Sequence, residues 1–256
     1  DYYCDWSSDV CSSDLGFMIT KIFQYEIFNG DMGELFKSIN NFEKVHIISG
    51  NPEVLLNGLQ DNMLLDNFTS NNSIIIPDGI GTVICSKLVG MPVKEKIAGI
   101  EVMDNIVKQC EKENHGIYLL GSTKETVDMC NINLRTKYHK LNILGSRDGY
   151  FEMDNCEDIL KEIEEVNPKV LFVAMGCPRQ ELFIAKYMYR LPCKVFMGVG
   201  GSFDIIAGNV KRAPKWMIKI GMEWLYRVIK EPFRIKRLAS IPKFIIMVIK
   251  YKRKLQ

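Results

Sequence analysis

No stretch of the 256 residues approaches the roughly 18 uninterrupted apolar residues needed to span a bilayer. The C-terminal run Ile241 to Ile249 is about half that length and is broken by Pro242 and Lys243. Phosphate-binding glycine fingerprints are absent too. Neither G-x-G-x-x-G nor G-x-x-x-x-G-K-[ST] occurs, which weakens the nicotinamide-dinucleotide and P-loop readings. Histidine is scarce, with His46, His115 and His139 far apart, and the eight cysteines show no C-x-x-C or C-x-x-H spacing. That pattern argues against structural zinc and for a reduced, cytoplasmic protein.

Charge is plentiful but unevenly placed. The formal net charge is +2, yet residues 211–256 hold fourteen Lys/Arg against only Glu223 and Glu231, so that segment is +12 and residues 1–210 are −10. An acidic body with a basic tail points to two kinds of partner, the tail's being anionic. Nucleic acid is disfavoured by the acidic body, which leaves an anionic membrane surface.

The opening residues "DYYCDWSSDVCSSDLG" are rich in Asp, Ser and Cys and follow neither a helical nor a strand period. Residues 1–17 resemble a translated sequencing adapter and are set aside as a leader, with Met18 the expected native start. From Met18, short apolar β-branched runs alternate with longer segments of helical period. The strand candidates are "KIFQYEIF", "KVHIIS", "SIIIP", "GIYLLG", "LNILG", "KVLFVAMG" and "KVFMGVG". Helix candidates include Pro52 to Asp66, Glu101 to Glu113, Lys124 to Tyr138, Cys156 to Val166 and Arg179 to Arg190. Because the strands are continuously apolar, helices should cover both faces. The expected fold is a Rossmann-like α/β/α sandwich with a mainly parallel sheet over residues 18–210. Residues 211–256 are expected to form a basic helical appendage, its helices separated by Pro214, Pro232 and Pro242.

In such a fold, ligands bind beyond the carboxyl ends of the strands. "IISGNPEVL" puts Ser49, Gly50 and Asn51 between a strand and a helix that starts near Pro52, where Asn51 is also a natural N-cap. "IIIPDGIG" places Asp78 on a strand-end turn, where the carboxylate can serve chemistry or bond its own backbone. "LFVAMGCPRQELF" starts a helix at Pro178, so Gln180 and Glu181 fall in a first turn able to hold an anion, or Glu181 complements the helix dipole.

Taken in order, "HIISGNPEVL", "PDGIG", "EKIAGIEVMD", "YLLGS", "FVAMGCPRQE", "GVGGSFDIIAG", "KRAPKW", "GMEWLYRV" and "EPFRIKR" resemble the WecG/TagA/CpsF glycosyltransferases from about Ile22 to Arg237. The resemblance implies an inverting, metal-independent transferase. It would move N-acetylmannosamine or a related sugar from UDP to undecaprenyl-diphosphate-linked N-acetylglucosamine, for a teichoic acid or another surface glycan. By the same resemblance Asp78 is the catalytic base, with Ser49 beside it in place of the family's Thr. Asn51 and Gln180 are assigned to substrate, while Asp204 and Glu223 match without a defined role beyond Glu223 orienting the arginines. No D-x-D motif is present to hold a metal against the diphosphate, so Lys96, Arg227, Arg234 and Arg237 are the expected counter-charges and no cofactor is expected. Lys96 stands where the family has Arg and lacks its fork. Without the resemblance, Arg234 and Arg237 read equally well as a solvated basic face.

Ile241, Phe244, Ile245, Val248 and Ile249 follow the spacing of one helical face, with lysines opposite. The expectation is a peripheral membrane helix on the inner face of the plasma membrane; packing on the body or on a partner subunit is the other reading. A homo-oligomer is left open, and so are a Rossmann-type oxidoreductase and a non-catalytic membrane-binding module.

Overall fold

The computed structural model describes residues 19–219, 222–230 and 239–255. The leader and Met18 lie outside them. The described strands are β1 (Ile19–Ile22), β2 (Tyr25–Phe28), β3 (Val45–Ser49), β4 (Ser73–Ile76), β5 (Gly116–Gly121), β6 (Asn142–Arg147), β7 (Val170–Ala174) and β8 (Val195–Gly198). The described helices begin with α1 (Met32–Asn40), α2 (Pro52–Gly58), α3 (Asn62–Phe68), α4 (Ile80–Leu88), α5 (Gly99–Glu113) and α6 (Lys124–Lys137). They continue with α7 (Glu157–Val166), α8 (Arg179–Tyr187), α9 (Ser202–Ala207), α10 (Lys215–Lys219), α11 (Glu223–Lys230) and α12 (Ser240–Leu255). The protein is of the α/β class with mainly parallel, Rossmann-like strand pairing.

Two compact units divide the chain. One holds residues 19–42, Ser49–Ala98 and the described residues from Arg212 on; the other holds Glu43–Ile48 and Gly99–Lys211. In the second unit, parallel pairing runs β3-β8-β7-β5-β6, with Val45 opposite Val195, Val195 opposite Val170, and Val170 opposite Ile117. Both faces of β3, β8, β7 and β5 are buried, as their unbroken apolar runs require, while the edge strand β6 is mostly half-buried. Tyr118, Leu120, Leu171, Val173 and Phe196 pack with Ile159, Leu160 and Ile163 of α7 and Phe183 and Ile184 of α8. The alternate residues Ile117 and Leu119 of β5, Phe172 of β7 and Met197 of β8 are equally inaccessible on the opposite face, and α5 and α6 pack against β5.

In the first unit, β2 pairs in parallel with β4 and antiparallel with β1. Here the sequence reading needs correction, because "KIFQYEIF" is two strands joined by a hairpin. Ile22 faces Tyr25 across a turn in which Phe23 takes φ 56°, a left-handed conformation that the residue type does not advertise. The single helix expected over Pro52 to Asp66 is likewise two. Asp61 adopts an extended conformation and its carboxylate accepts from the Leu64 amide, so it caps α3 and breaks the period.

The C-terminal helix brings two further corrections. Pro242 does not separate helices. It sits in the first turn of α12, where a missing N–H costs nothing. The apolar stripe expected to face lipid is covered by the first unit itself: α12 packs on α2 and α4, and Phe244 and Val248 are fully buried. Phe244 meets Phe23 edge-on at 5.6 Å, and Lys252 Nζ donates to the Leu88 carbonyl at 2.8 Å. Body packing, the alternative reading, therefore accounts for that face.

Candidate functional site

The carboxyl ends of β3 and β4 are joined through a single carbonyl. Ile76 O accepts from Gly50 N at 2.9 Å and from Asp78 N at 2.8 Å, so the Ser49–Asn51 loop and the Pro77–Gly79 turn are tied to one atom. Gly50 is required by space. A Cβ there would lie 2.4 Å from Ile75 Cγ2 and 2.7 Å from Ile76 O. The buried Thr82 hydroxyl donates to Gly50 O at 2.5 Å and fixes the loop from the side of α4. Gly79 takes φ 87° at the N-cap of α4, a conformation that glycine supplies without strain, and it offers no side-chain cap. An N-terminus without a side-chain cap favours an anion electrostatically.

The predicted residues Ser49, Asn51, Asp78 and Lys96 all belong to this first unit. Ser49 and Asp78 are half-buried at their strand ends. Asn51 is an N-cap, its Oδ1 accepting from Glu53 N and Val54 N at 3.1 Å, so half of its amide is engaged in holding α2. Lys96 is held close to Asp78 by backbone, since the amide of the next residue, Ile97, donates to Pro77 O at 3.1 Å. The lysine Nζ lies 3.8 Å from Glu223 Oε2, and Arg212 Nε lies 3.7 Å from the other oxygen of that carboxylate. Arg212 and Thr82 were not singled out from sequence. The "KRAPKW" block contains Arg212, but nothing in its spacing points to Glu223.

Arg227 lies on α11. Arg234 and Arg237 lie outside the described residues, so the proposed arginine group is placed by sequence alone. Gln180 is in the second unit, at the start of α8, just after Gly176 and the cis Cys177–Pro178 bond. Buried there, it donates from Nε2 to Glu181 Oε1 at 2.7 Å and accepts at Oε1 from Gly200 N at 3.1 Å. It thus bridges α8 to the turn that follows β8. Asp204 lies in the same unit on α9, where its carbonyl accepts from Val210 N at 3.2 Å.

Four buried thiols are poor nucleophiles. Burial pushes the thiols of Cys85, Cys110, Cys130 and Cys193 up to about 12, so they stay protonated and inert. Among the described residues, no three His, Cys, Asp or Glu side chains gather as a metal site would require, and no helix is long and apolar enough to cross a membrane.

Comparison with known proteins identifies the family. Residues 20–256 match the model of the glycosyl transferase WecG/TagA/CpsF family. The chain is 39% identical over 200 residues to an N-acetylglucosaminyldiphosphoundecaprenol N-acetyl-beta-D-mannosaminyltransferase of Bacillus subtilis (strain 168), covering 78% of this chain and 77% of that relative. A relative of the same name from Bacillus spizizenii is 35% identical over 207 residues, covering 81% of this chain and 79% of its own. Another from Staphylococcus aureus (strain MRSA252) is 34% identical over 220 residues, covering 86% and 84%. On these matches, spanning nearly all of the described residues, the chain belongs to the WecG/TagA/CpsF family of glycosyl transferases.

Proposed function

We propose that the protein transfers N-acetylmannosamine, or a closely related sugar, from its UDP donor to N-acetylglucosamine carried on undecaprenyl diphosphate, in teichoic acid or other surface-glycan synthesis. The observation that carries this reading is the Asp78 turn. It is tied to the Ser49–Asn51 loop through Ile76 O and, through Pro77 O, to the amide of Ile97 next to Lys96. In an inverting transfer, a base removes the proton of the acceptor hydroxyl as that oxygen bonds to the sugar's anomeric carbon. The bond from that carbon to the diphosphate oxygen breaks on the opposite side. Asp78 takes the proton. Lys96 and Arg227, with Arg234 and Arg237, meet the charge that builds on the departing UDP, so no metal is needed. The Ser49 hydroxyl and the Asn51 amide orient the sugars.

Attachment to an anionic membrane at the cytoplasmic face of the plasma membrane belongs to the same proposal, by a different face of α12 from the one sequence suggested. Lys243, Ile246, Lys250 and Arg253 recur at i, i+3, i+7 and i+10 and are all exposed. Each cation near an anionic surface contributes on the order of 1 kcal/mol. Replacing the three cations by glutamine should abolish flotation with anionic vesicles and leave transfer to a water-soluble acceptor intact. Unchanged flotation would remove this face from consideration. The transfer itself is tested by incubating the full chain with a panel of UDP-sugars and a short-chain lipid-diphosphate-N-acetylglucosamine, then reading product mass. Addition of one N-acetylhexosamine from UDP-N-acetylmannosamine supports the reading. Absence of product with every donor refutes it.

A further inference from the structure

Glu223 opens α11, and its side chain is only 14% exposed between two cations drawn from distant parts of the chain. Its two oxygens are divided between them, Oε2 toward Lys96 Nζ at 3.8 Å and Oε1 toward Arg212 Nε at 3.7 Å. The separations exceed the roughly 2.7–2.9 Å of a short charge-assisted hydrogen bond, so charge holds this pairing and a more highly charged anion can compete for both cations. Without the carboxylate, Lys96 and Arg212 would repel one another in a half-buried setting where solvent screens them poorly. Lys96 alone is a point charge. Arg212 brings the planar fork that grips two phosphate oxygens at once. The group is also anchored to the chemistry, because Ile97 N, one residue from Lys96, is bonded to Pro77 O beside Asp78.

We propose that Arg212 and Lys96 form a two-cation clamp for a diphosphate, with Glu223 the positioning residue that holds both ready. This deepens the transferase reading above and rests on it. Diphosphate is present in both the nucleotide donor and the lipid-linked acceptor, and the same clamp chemistry serves either source.

The test uses the full chain and four proteins: wild type, Arg212→Gln, Arg212→Lys and Glu223→Gln. UDP and uridine are titrated into each by calorimetry, and kcat and KM are measured separately for donor and acceptor. Arg212→Gln should weaken UDP binding about tenfold to a hundredfold, the range of a lost hydrogen bond to a charged group, and leave uridine binding unchanged. Arg212→Lys should recover part of the loss. Glu223→Gln should reproduce a smaller loss in the same UDP-to-uridine ratio, which a purely structural role would not alter. If UDP affinity holds and the acceptor KM rises by that factor, the clamp grips the lipid-linked diphosphate. If folded Arg212→Gln changes neither UDP affinity nor either KM while wild type transfers sugar, the clamp is rejected and the transferase reading stands. A wild type that neither binds UDP nor transfers sugar rejects the reading and the clamp together. Should Arg212→Gln not fold, Lys96→Gln and Arg212→Lys decide by the same criteria.

Discussion

Truncating Phe244 to alanine separates a core helix from a lipid-facing one. Phe244 is 0% exposed in α12, and its ring stands edge-on to Phe23 with centroids 5.6 Å apart. Removing a buried phenylalanine costs about 3–5 kcal/mol through lost transfer energy and the cavity left behind. The aromatic pair contributes about 0.5–1.5 kcal/mol beyond area burial, which places the expectation near 4 kcal/mol or above. For a chain of this size each kcal/mol lowers Tm by about 2–4 °C, so a fall of about 8–16 °C should follow. Urea unfolding followed by tryptophan fluorescence suits the measurement, since Trp216 and Trp224 lie in the same unit as α12. Ile246→Ala is the control. At 52% exposure it should stay within about 0.5 kcal/mol of wild type. The reasoning is refuted if Phe244→Ala loses less than about 1 kcal/mol, since a fully buried ring cannot be removed so cheaply.

Three further outcomes are expected. Gly50→Ala should destabilise by about 1–3 kcal/mol and depress turnover more than donor affinity, because the new methyl meets Ile75 Cγ2 at 2.4 Å and pushes on the Asp78 turn; an active, fully stable variant would contradict this. For Asp104, burial alone would raise the pKa, but hydrogen bonds from Lys137 and Tyr138, both 2.6 Å, and from Lys108 hold it below the usual carboxylate range. A depressed carboxylate stabilises above its unfolded value of about 3.9 and loses that contribution as pH falls through the folded value, so the Tm gap between wild type and Asp104→Asn should close below about pH 4. A gap constant across that window in thermal melts would argue against it. Transfer activity should survive EDTA, whereas strict dependence on added Mg²⁺ or Mn²⁺ would overturn the assignment of diphosphate neutralisation to arginine and lysine side chains.

The parallel strands of the second unit were legible because burial on both faces leaves one composition, and runs such as "KVLFVAMG" carry it plainly. The β1–β2 hairpin was not, since its turn uses Phe23 at positive φ instead of glycine or asparagine. The break after α2 was hidden by an apolar period that continues across Asp61. In α12 the apolar period was read correctly, but a stripe such as Phe244 and Val248 specifies only that something apolar covers it. Its partners lie far away in sequence, in α2, in α4 and at Phe23, the last more than 200 residues off. Asp78 and the Ser49–Asn51 loop were legible as strand-end residues, and the order of motifs gave them a family. Lys96 was singled out, and Glu223 as a residue orienting arginines, but Arg212 and the pairing of all three were not, as an ion pair between distant segments leaves no local spacing to read.

Turnover of Asp78→Asn is the most direct measurement of the proposed chemistry. The amide keeps the shape of the carboxylate on the Pro77–Gly79 turn and removes its basicity, so the protein should fold and bind UDP as wild type does. The rate of sugar transfer to the lipid-linked acceptor, read by product mass against UDP affinity from calorimetry, should fall by about 10²–10⁴-fold, the contribution of a positioned general base. A variant that keeps more than about a tenth of the wild-type rate would contradict the assignment of the base to Asp78.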